Sequence, residues 1–328
     1  MGYFILRRLM QSVFVMLTVS LIAFSLFRFV GDPVAQMVGQ ETSLEAQENI
    51  RERLGLNDPL VTQFARFVGN LAKAEFGFSY RTRQPVSEMI LSRLPATLEL
   101  GLVSLIISLL VGIPAGIYTA LKRGVIANAL LVTTLIGISV PTFVIGVFLI
   151  YLFGVELGWL PTFGRGETVQ IGWWQTSFLT LDGWRSLLLP AVTLGVYQLT
   201  LTMRLVRAEM QDVLKTDYIR FATARGIAYR SFYFNHGFRN TLIPVITIIG
   251  LQIGGIIAFS IVTESVFQWP GMGLLFLDSI RYVDIPVMSV YLVLIALMFV
   301  LINLAVDILY FVIDPRVRIR SHNTQVTK

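Results

Sequence analysis

Six stretches of this chain carry no charge, or almost none, over lengths that can cross a bilayer. No other feature limits the fold as much. They are 9–30 (with Arg28 near its end), 100–120, 129–153, 186–203, 241–263 and 285–306. A helix needs about 20 apolar residues to span the hydrocarbon core. Lipid offers no partner to a free amide, so such spans fold as helices that pair their own backbone. The expected fold is therefore an all-α polytopic membrane protein with six transmembrane helices. The chain is 55% hydrophobic and only 14% charged, whereas soluble domains carry about 25% charged residues.

The first stretch follows Arg7 and Arg8, as a secretion signal would. Its apolar part is too long for one and no small-residue cleavage site follows, so it reads as a retained helix. The formal charge of +6 is spread over short loops, which fits cytoplasmic loops of a membrane protein better than nucleic-acid binding. There is no cysteine, and the histidines are His236 and His322 alone. Disulfides and thiolate sites are excluded, and no metal site is expected.

Lysine and arginine set the orientation. With the N-terminus in the cytoplasm, segments 1–8, 121–123, 204–240 and 314–328 lie inside and hold 15 of the 26 basic residues against four acids. Outer loops 154–185 and 264–284 hold three basic residues and six acids. Long translocated segments such as 31–96 weigh little in this rule. Both termini are thus expected in the cytoplasm of a multi-pass protein.

Segment 31–96 is patterned rather than linker-like. Thr42-x-x-Glu45 reads as a capping box, opening a helix with Ile50 and Leu54 on one face and a stop at Gly55. Asp58-Pro59 starts a second helix, whose Leu60, Phe64, Phe67, Val68 and Leu71 form an apolar stripe. Two readings stand: a structural cap over the outer ends of the spans, or a contact surface for an external partner. In loop 154–185, Gly158-Trp-Leu-Pro161 and Trp173-Trp174 suit either interfacial anchoring or docking.

Pro114, Pro141, Pro190 and Pro244 lie in or at the start of spans two to five. Each removes a donor and frees a carbonyl, which suits a kinked, gated path and also an ordinary membrane helix. Glu99, Glu264 and Asp307 fall near span ends. An ion-coupled carrier usually holds a carboxylate deeper in the membrane. Arg204 and Arg207 at the inner end of span four suit snorkelling to headgroups.

No G-x-x-x-x-G-K-[ST] phosphate loop, H-E-x-x-H or G-x-S-x-G occurs. An enzyme reading is poor, and a transporter of this build must receive energy from a partner. The place to receive it is a short cytoplasmic helix at 217–225. Asp217 sits in its first turn, Arg225 in its last, and Gly226 is placed to end it. Nine residues are too few to be helical alone in water, so this helix needs a surface. Tyr218, Ala222 and Arg225 share one of its faces.

At this stretch the residues resemble a known family. Ala222-Thr-Ala-Arg-Gly226, His236-Gly-Phe-Arg-Asn240 and Ile243-Pro244 are similar to the "EAA" loop of permease subunits from binding-protein-dependent ABC importers. The spacing from Gly226 to Pro244 resembles the oligopeptide, dipeptide and nickel branch, with Arg220 at the glutamate position. Leu6-Arg-Arg-Leu9, Gly31-Asp-Pro33, Leu54-Gly-Leu56, Phe76-Gly-Phe-Ser79, Leu94-Pro-Ala-Thr-Leu-Glu-Leu100, Glu264-x-Val-Phe-x-Trp-Pro-Gly-x-Gly273 and Asp314-Pro-Arg316 resemble the branch's first permease subunit, of the dipeptide permease B kind.

The resemblance implies a type I ABC importer permease fold of the cell inner membrane. Residues 1–30 would form the N-terminal end and helix one, 31–96 a periplasmic helical segment, and 97–313 the core with a coupling loop at 209–240. Residues 314–328 would be a basic cytoplasmic tail. Implied partners are a second permease subunit, two ATPase subunits that bind ATP and Mg, and a periplasmic or lipid-anchored binding protein, all around a lipid bilayer. Asp217, Tyr218, Arg220, Ala222, Arg225 and Gly226 would couple to an ATPase. Glu264, Trp269, Pro270 and Gly271 would form a periplasmic loop near the pathway mouth. This chain would hold no cofactor and catalyse nothing, and no residue is assigned to substrate binding. Peptides are the expected cargo, with nickel, glutathione or another small solute as alternatives. A self-contained ion-coupled carrier and a scaffold without transport are the contrasting classes.

Overall fold

A computed structural model describes residues 2–29, 34, 43–53, 55–217, 221 and 238–313. The chain divides into two compact units. The first comprises 1–97, 170–175 and 270–300, and the second 98–169, 176–269 and 301–328.

Helix α1, Gly2–Phe29, takes in the basic N-terminal end as well as the first apolar stretch. Helix α2, Leu44–Arg53, is capped by Ser43, whose Oγ accepts the Ala46 N–H at 3.3 Å. Thr42, the expected cap, lies outside the described residues. The stop at Gly55 is real. Its φ is +65°, and the Leu56 N–H closes onto the Arg51 carbonyl at 2.9 Å. Helix α3, Leu60–Ala72, follows Pro59 directly. Its apolar stripe finds α1: the Phe64 and Phe67 rings lie 5.6 and 5.9 Å from Phe24. Gln63 is buried, and its Nε2 donates to the Leu56 and Asp58 carbonyls at 2.9 and 2.7 Å, which ties down the turn between α2 and α3.

Helix α4, Val86–Leu121, is 36 residues long and begins inside the segment expected to lie wholly outside the spans. Val86, Ile90 and Ala96 are buried, so the apolar stripe starts well before the charges end. The third expected span is broken rather than single. Helices α5, Val125–Ser139, and α6, Thr142–Leu149, meet at a break; with the π-helical turn Ile150–Glu156 that continues α6, the pair is bent by 109°. Loop 154–185 holds a small hairpin that periodicity did not reveal: β1, Val169–Ile171, and β2, Trp174–Thr176, turning at Gly172 with φ +61°.

Helix α7, Leu181–Leu214, outruns its apolar stretch at both ends. It is capped by Thr180, whose Oγ1 accepts the Gly183 N–H at 3.0 Å. Helices α8, Phe238–Val266, α9, Met272–Arg281, and α10, Ile285–Ile313, are the last of the described elements. The last expected outer loop, 264–284, is therefore mostly helical. Among the described residues four helices are long and apolar enough to cross a bilayer alone, over Leu6–Leu26, Val86–Leu121, Leu181–Leu214 and Ile285–Ile308, and the bent pair makes a fifth candidate. Helix α8 covers the remaining apolar stretch.

In the second unit α7 is the central element, packed by α5, α6 and α8. Against α4 it closes to backbone distance. A Cβ built on Gly112 would lie 3.0 Å from the Leu199 carbonyl, on Gly116 2.7 Å from the Met203 carbonyl, and on Gly195 3.0 Å from the Ser104 carbonyl. Small residues let membrane helices approach this closely, where dispersion rather than water release holds them together. Ile117 and Val206 are buried beside this seam, with Ile113, Leu121 and Leu205 packed on them.

Candidate functional site

Of the residues expected to couple to an ATPase, Asp217 is described and helical, and so is the neighbouring Phe221, which is exposed. Tyr218, Arg220, Ala222, Arg225 and Gly226 lie outside the described residues. Just before this stretch α7 ends at Leu214, where the Lys215 and Thr216 N–H groups turn back onto the Asp212 and Val213 carbonyls. Residues 209–214, expected in the coupling loop, thus belong to α7, and α8 is described from Phe238.

Glu99 and Glu264, expected at outer span ends, are built into the protein. Glu99 lies within α4, 1% exposed, and accepts from Arg165 Nη2 at 2.7 Å and from the Ser177 N–H at 3.1 Å. Arg165 Nε donates to Ser177 Oγ at 2.9 Å, and its guanidinium sits 5.8 Å from the Trp269 ring. A buried pair of this kind is held by mutual attraction and by hydrogen bonds to its remaining lone pairs. Glu264, expected in a loop, is instead in the last turn of α8 and wholly buried. Its carbonyl accepts the Trp269 N–H at 2.8 Å. Trp269 is fully enclosed, so it is an internal packing residue rather than a surface anchor. In the first unit Gly271 precedes α9 as its N-cap, after Pro270.

The first unit has its own polar latch. Asp284 accepts a hydrogen bond from Ser79 Oγ and, at 3.1 Å, from the Tyr80 N–H. Burial, with Asp284 nearby, pushes the Tyr80 phenol up to about 12. The Arg81 guanidinium lies 3.4 Å from the Tyr282 ring centre. Beside this latch a cavity of about 350 Å³ is lined by Phe67, Phe78, Tyr80 and Val290, among others.

The polar centre of the second unit was missed by the sequence reading, which weighed ionisable groups only. Gln198 and Gln252 are 3% and 5% exposed. Thr202 Oγ1 donates to Gln252 Oε1 at 3.2 Å, and Gln252 Nε2 reaches the Gln198 carbonyl at 3.5 Å. Among the described residues Gln198 Oε1 has no partner. Gln198 lines a cavity of about 280 Å³ at the α5–α6 break, with Pro141, Thr142, Tyr197 and Phe259. An uncharged amide halfway along an apolar stretch was the available signal.

Buried polar groups, a proline-broken helix and long apolar spans define a polytopic helical membrane protein whose interior is built for more than anchoring. Residues 112–319 match the family described as "Binding-protein-dependent transport system inner membrane component", and residues 1–101 match its N-terminal companion, "Binding-prot-dependent transport system membrane comp, N-term". The chain belongs to this family. It is 40% identical over 320 residues to the oligopeptide transport system permease protein AppB of Bacillus subtilis, covering 97% of this chain and 99% of that one. It is 38% identical over 317 residues to the glutathione transport system permease protein GsiC of Shigella flexneri and of Escherichia coli K12, covering 96% of this chain and 98% of each relative. The fold is also similar to that in a structure of inward-facing conformations of the MetNI methionine ABC transporter. There the TM-score is 0.53 at 19% identity, over 67% of this chain and 93% of that one. This is a multi-pass membrane permease component of a binding-protein-dependent transport system.

Proposed function

We propose that this chain forms half of the translocation pathway of an ATP-driven importer of di- and oligopeptides. The observation that carries the reading is near end-to-end similarity to a permease named for oligopeptide transport. Glutathione, itself a small peptide, is the second reading, and similarity to GsiC favours it. The chain is non-catalytic in this scheme. A second permease subunit completes the pathway, two ATPase subunits bind ATP and Mg, and a periplasmic or lipid-anchored binding protein delivers cargo.

Both termini are cytoplasmic, with 31–96 outside, 97–313 as the core and 314–328 as the tail. Asp217, Tyr218, Arg220, Ala222, Arg225 and Gly226 form the coupling surface. Alanine brings the helix close to its partner, the charges pair around the rim of a cleft, and closure of the ATPases moves the helix as a rigid body. Glu264, Trp269, Pro270 and Gly271 frame the outer mouth, with Glu264 and Trp269 as internal supports.

The test is reconstitution with these partners in liposomes, followed by uptake of labelled trialanine or glutathione. Ala222→Trp or Gly226→Trp should abolish ATP-driven uptake and displace the ATPases. Unchanged uptake in both variants refutes the coupling assignment. Uptake by the chain alone, driven by an ion gradient, makes it a secondary carrier.

A further inference from the structure

From the cavity at the α5–α6 break, we infer a peptide-binding subsite made by Gln198 and the N-terminus of α6. This rests on the peptide reading above and says where in this chain the cargo is held during transit.

Pro141 creates the site. It has no N–H to give, so the Gly137 carbonyl loses the partner it would have in a continuous helix. The residue before it, Val140, is pushed to φ −88° and ψ 126°, and the chain turns sharply there. Helix α6 then starts afresh. Val144 and Ile145 direct their N–H groups to the Pro141 carbonyl, at 3.0 and 3.3 Å. The N–H groups of Thr142 and Phe143 have no intrahelical acceptor, as at any helix start. Together with the helix dipole they favour a negative group, such as a carboxylate.

Gln198 is the second, independent observation. It has 17 residues of α7 before it and 16 after, so it stands at the middle of a long apolar helix. It is 3% exposed and lines the same cavity as Pro141 and Thr142, and its Oε1 has no partner among the described residues. A buried amide oxygen left unpaired is costly. Its complement is an N–H donor on whatever enters.

An acceptor for N–H beside donors for a carboxylate is the pattern of a peptide's C-terminal end. Tyr197 and Phe259, with ring centroids 6.3 Å apart, and Leu194 supply apolar wall for a side chain of variable shape. Recognition of the peptide unit with a tolerant wall suits a carrier of many peptides. A pathway site must also bind weakly enough to release.

The test uses the complete transporter in liposomes, fed trialanine through its binding protein. Gln198→Met keeps the shape of the side chain and removes the amide. We expect Gln198→Met to co-purify with its partners while uptake falls at least tenfold and fewer peptides cross per ATP hydrolysed. Because the chain has no cysteine, Thr142→Cys gives a single reporter on the cavity wall. Cycling with trialanine should slow its modification by a small methanethiosulfonate several-fold. Uptake by Gln198→Met at the wild-type rate, or labelling at Thr142→Cys indifferent to peptide, overturns the subsite and leaves the peptide reading standing. A wild-type complex that takes up no peptide overturns both. Loss of assembly in Gln198→Met, with uptake intact in Gln198→Glu and no protection at Thr142→Cys, assigns Gln198 to packing and overturns the subsite as well.

Discussion

The α4–α7 seam and the α5–α6 break lie in the same compact unit and contain the same kinds of residue, yet they do opposite things. At the seam, Gly112, Gly116 and Gly195 bring backbone onto backbone and leave no room for a methyl group. At the break, Pro141 and Gln198 border open space of about 280 Å³. Proline alone does not distinguish them, since Pro114 lies between two seam glycines, itself exposed, and α4 runs through it unbroken. The difference lies in what holds the neighbouring residues. Ile113, just before Pro114, packs on the Ile117–Val206 cluster, and the glycines on either side are clamped by α7. Pro141 is exposed, as Pro114 is, but the residue before it, Val140, takes the extended conformation that proline prefers. A membrane protein can thus use one residue type for rigidity and for articulation, according to the packing around it.

If this contrast holds, damage to the seam appears as lost stability and damage to the break as lost transport. The largest effect is expected from Gly116→Leu. Its Cβ would meet the Met203 carbonyl and Val206, neither of which can swing away, so the penalty should exceed the about 1–3 kcal/mol of ordinary overpacking. Thermal unfolding in detergent should show a large fall, or no folded protein should be recovered. Gly69→Leu, with nothing within 4 Å of its built Cβ, is the matched control and should fold.

Next comes the buried ion pair made by Glu99 of α4. Glu99→Gln removes the carboxylate that Arg165 Nη2 meets at 2.7 Å, and removing one partner of such a buried pair costs about 3–5 kcal/mol. Adding Arg165→Met to Glu99→Gln should recover part of the loss in a double-mutant cycle, and strict additivity would mean that the pair is not coupled.

A smaller, pH-dependent effect tests the first unit. Tyr80 has its phenol raised to about 12 from an ordinary 10, so the fold favours the neutral form. The sign follows: the stabilisation is complete below about pH 10 and is lost as pH rises from about 10 towards 12, by at most about 2–3 kcal/mol. Tyr80→Phe should remove that alkaline limb from the unfolding profile, and an unchanged profile would place the phenol in water.

The smallest effect on stability is expected at the break itself. Pro141→Ala restores an amide donor next to an already extended Val140 and should shift stability by under about 1 kcal/mol. Peptide uptake should nevertheless fall several-fold, because the start of α6 and the cavity wall move. A loss of folded protein comparable to that of Gly116→Leu would erase the distinction between the two regions.

Much of this architecture was legible from residue order. Gly55 stops α2 because glycine takes positive φ freely, and Pro59 precedes α3 for the same local reason. The stripe of Phe64 and Phe67 announced a buried face, though not that Phe24 would fill it. The cap one residue away at Ser43, the hairpin around Gly172 and helix α9 escaped notice. In the first of these, adjacent hydroxyl residues compete on nearly equal terms; in the others, the elements are too short for periodicity to mark them. The coupling residues proposed at 217–226 came from a local motif, whereas Gln198 gave no such signal, because most of the residues that share its cavity lie outside α7.

By itself the sequence determined that the chain lives in a bilayer, roughly where its spans lie and which family it joins. The first two follow from the cost of burying charge in lipid, and the third from the resemblance of its motifs. Only the tertiary structure decided that Pro141 breaks a helix while Pro114 and Pro190 do not. It alone decided that Glu99 is paired with Arg165 and that Gln198 faces an empty space. The physical reason is one of magnitude. A proline in a helix or an unpaired amide costs about as much as a few neighbouring contacts supply, so the outcome rests with the neighbours.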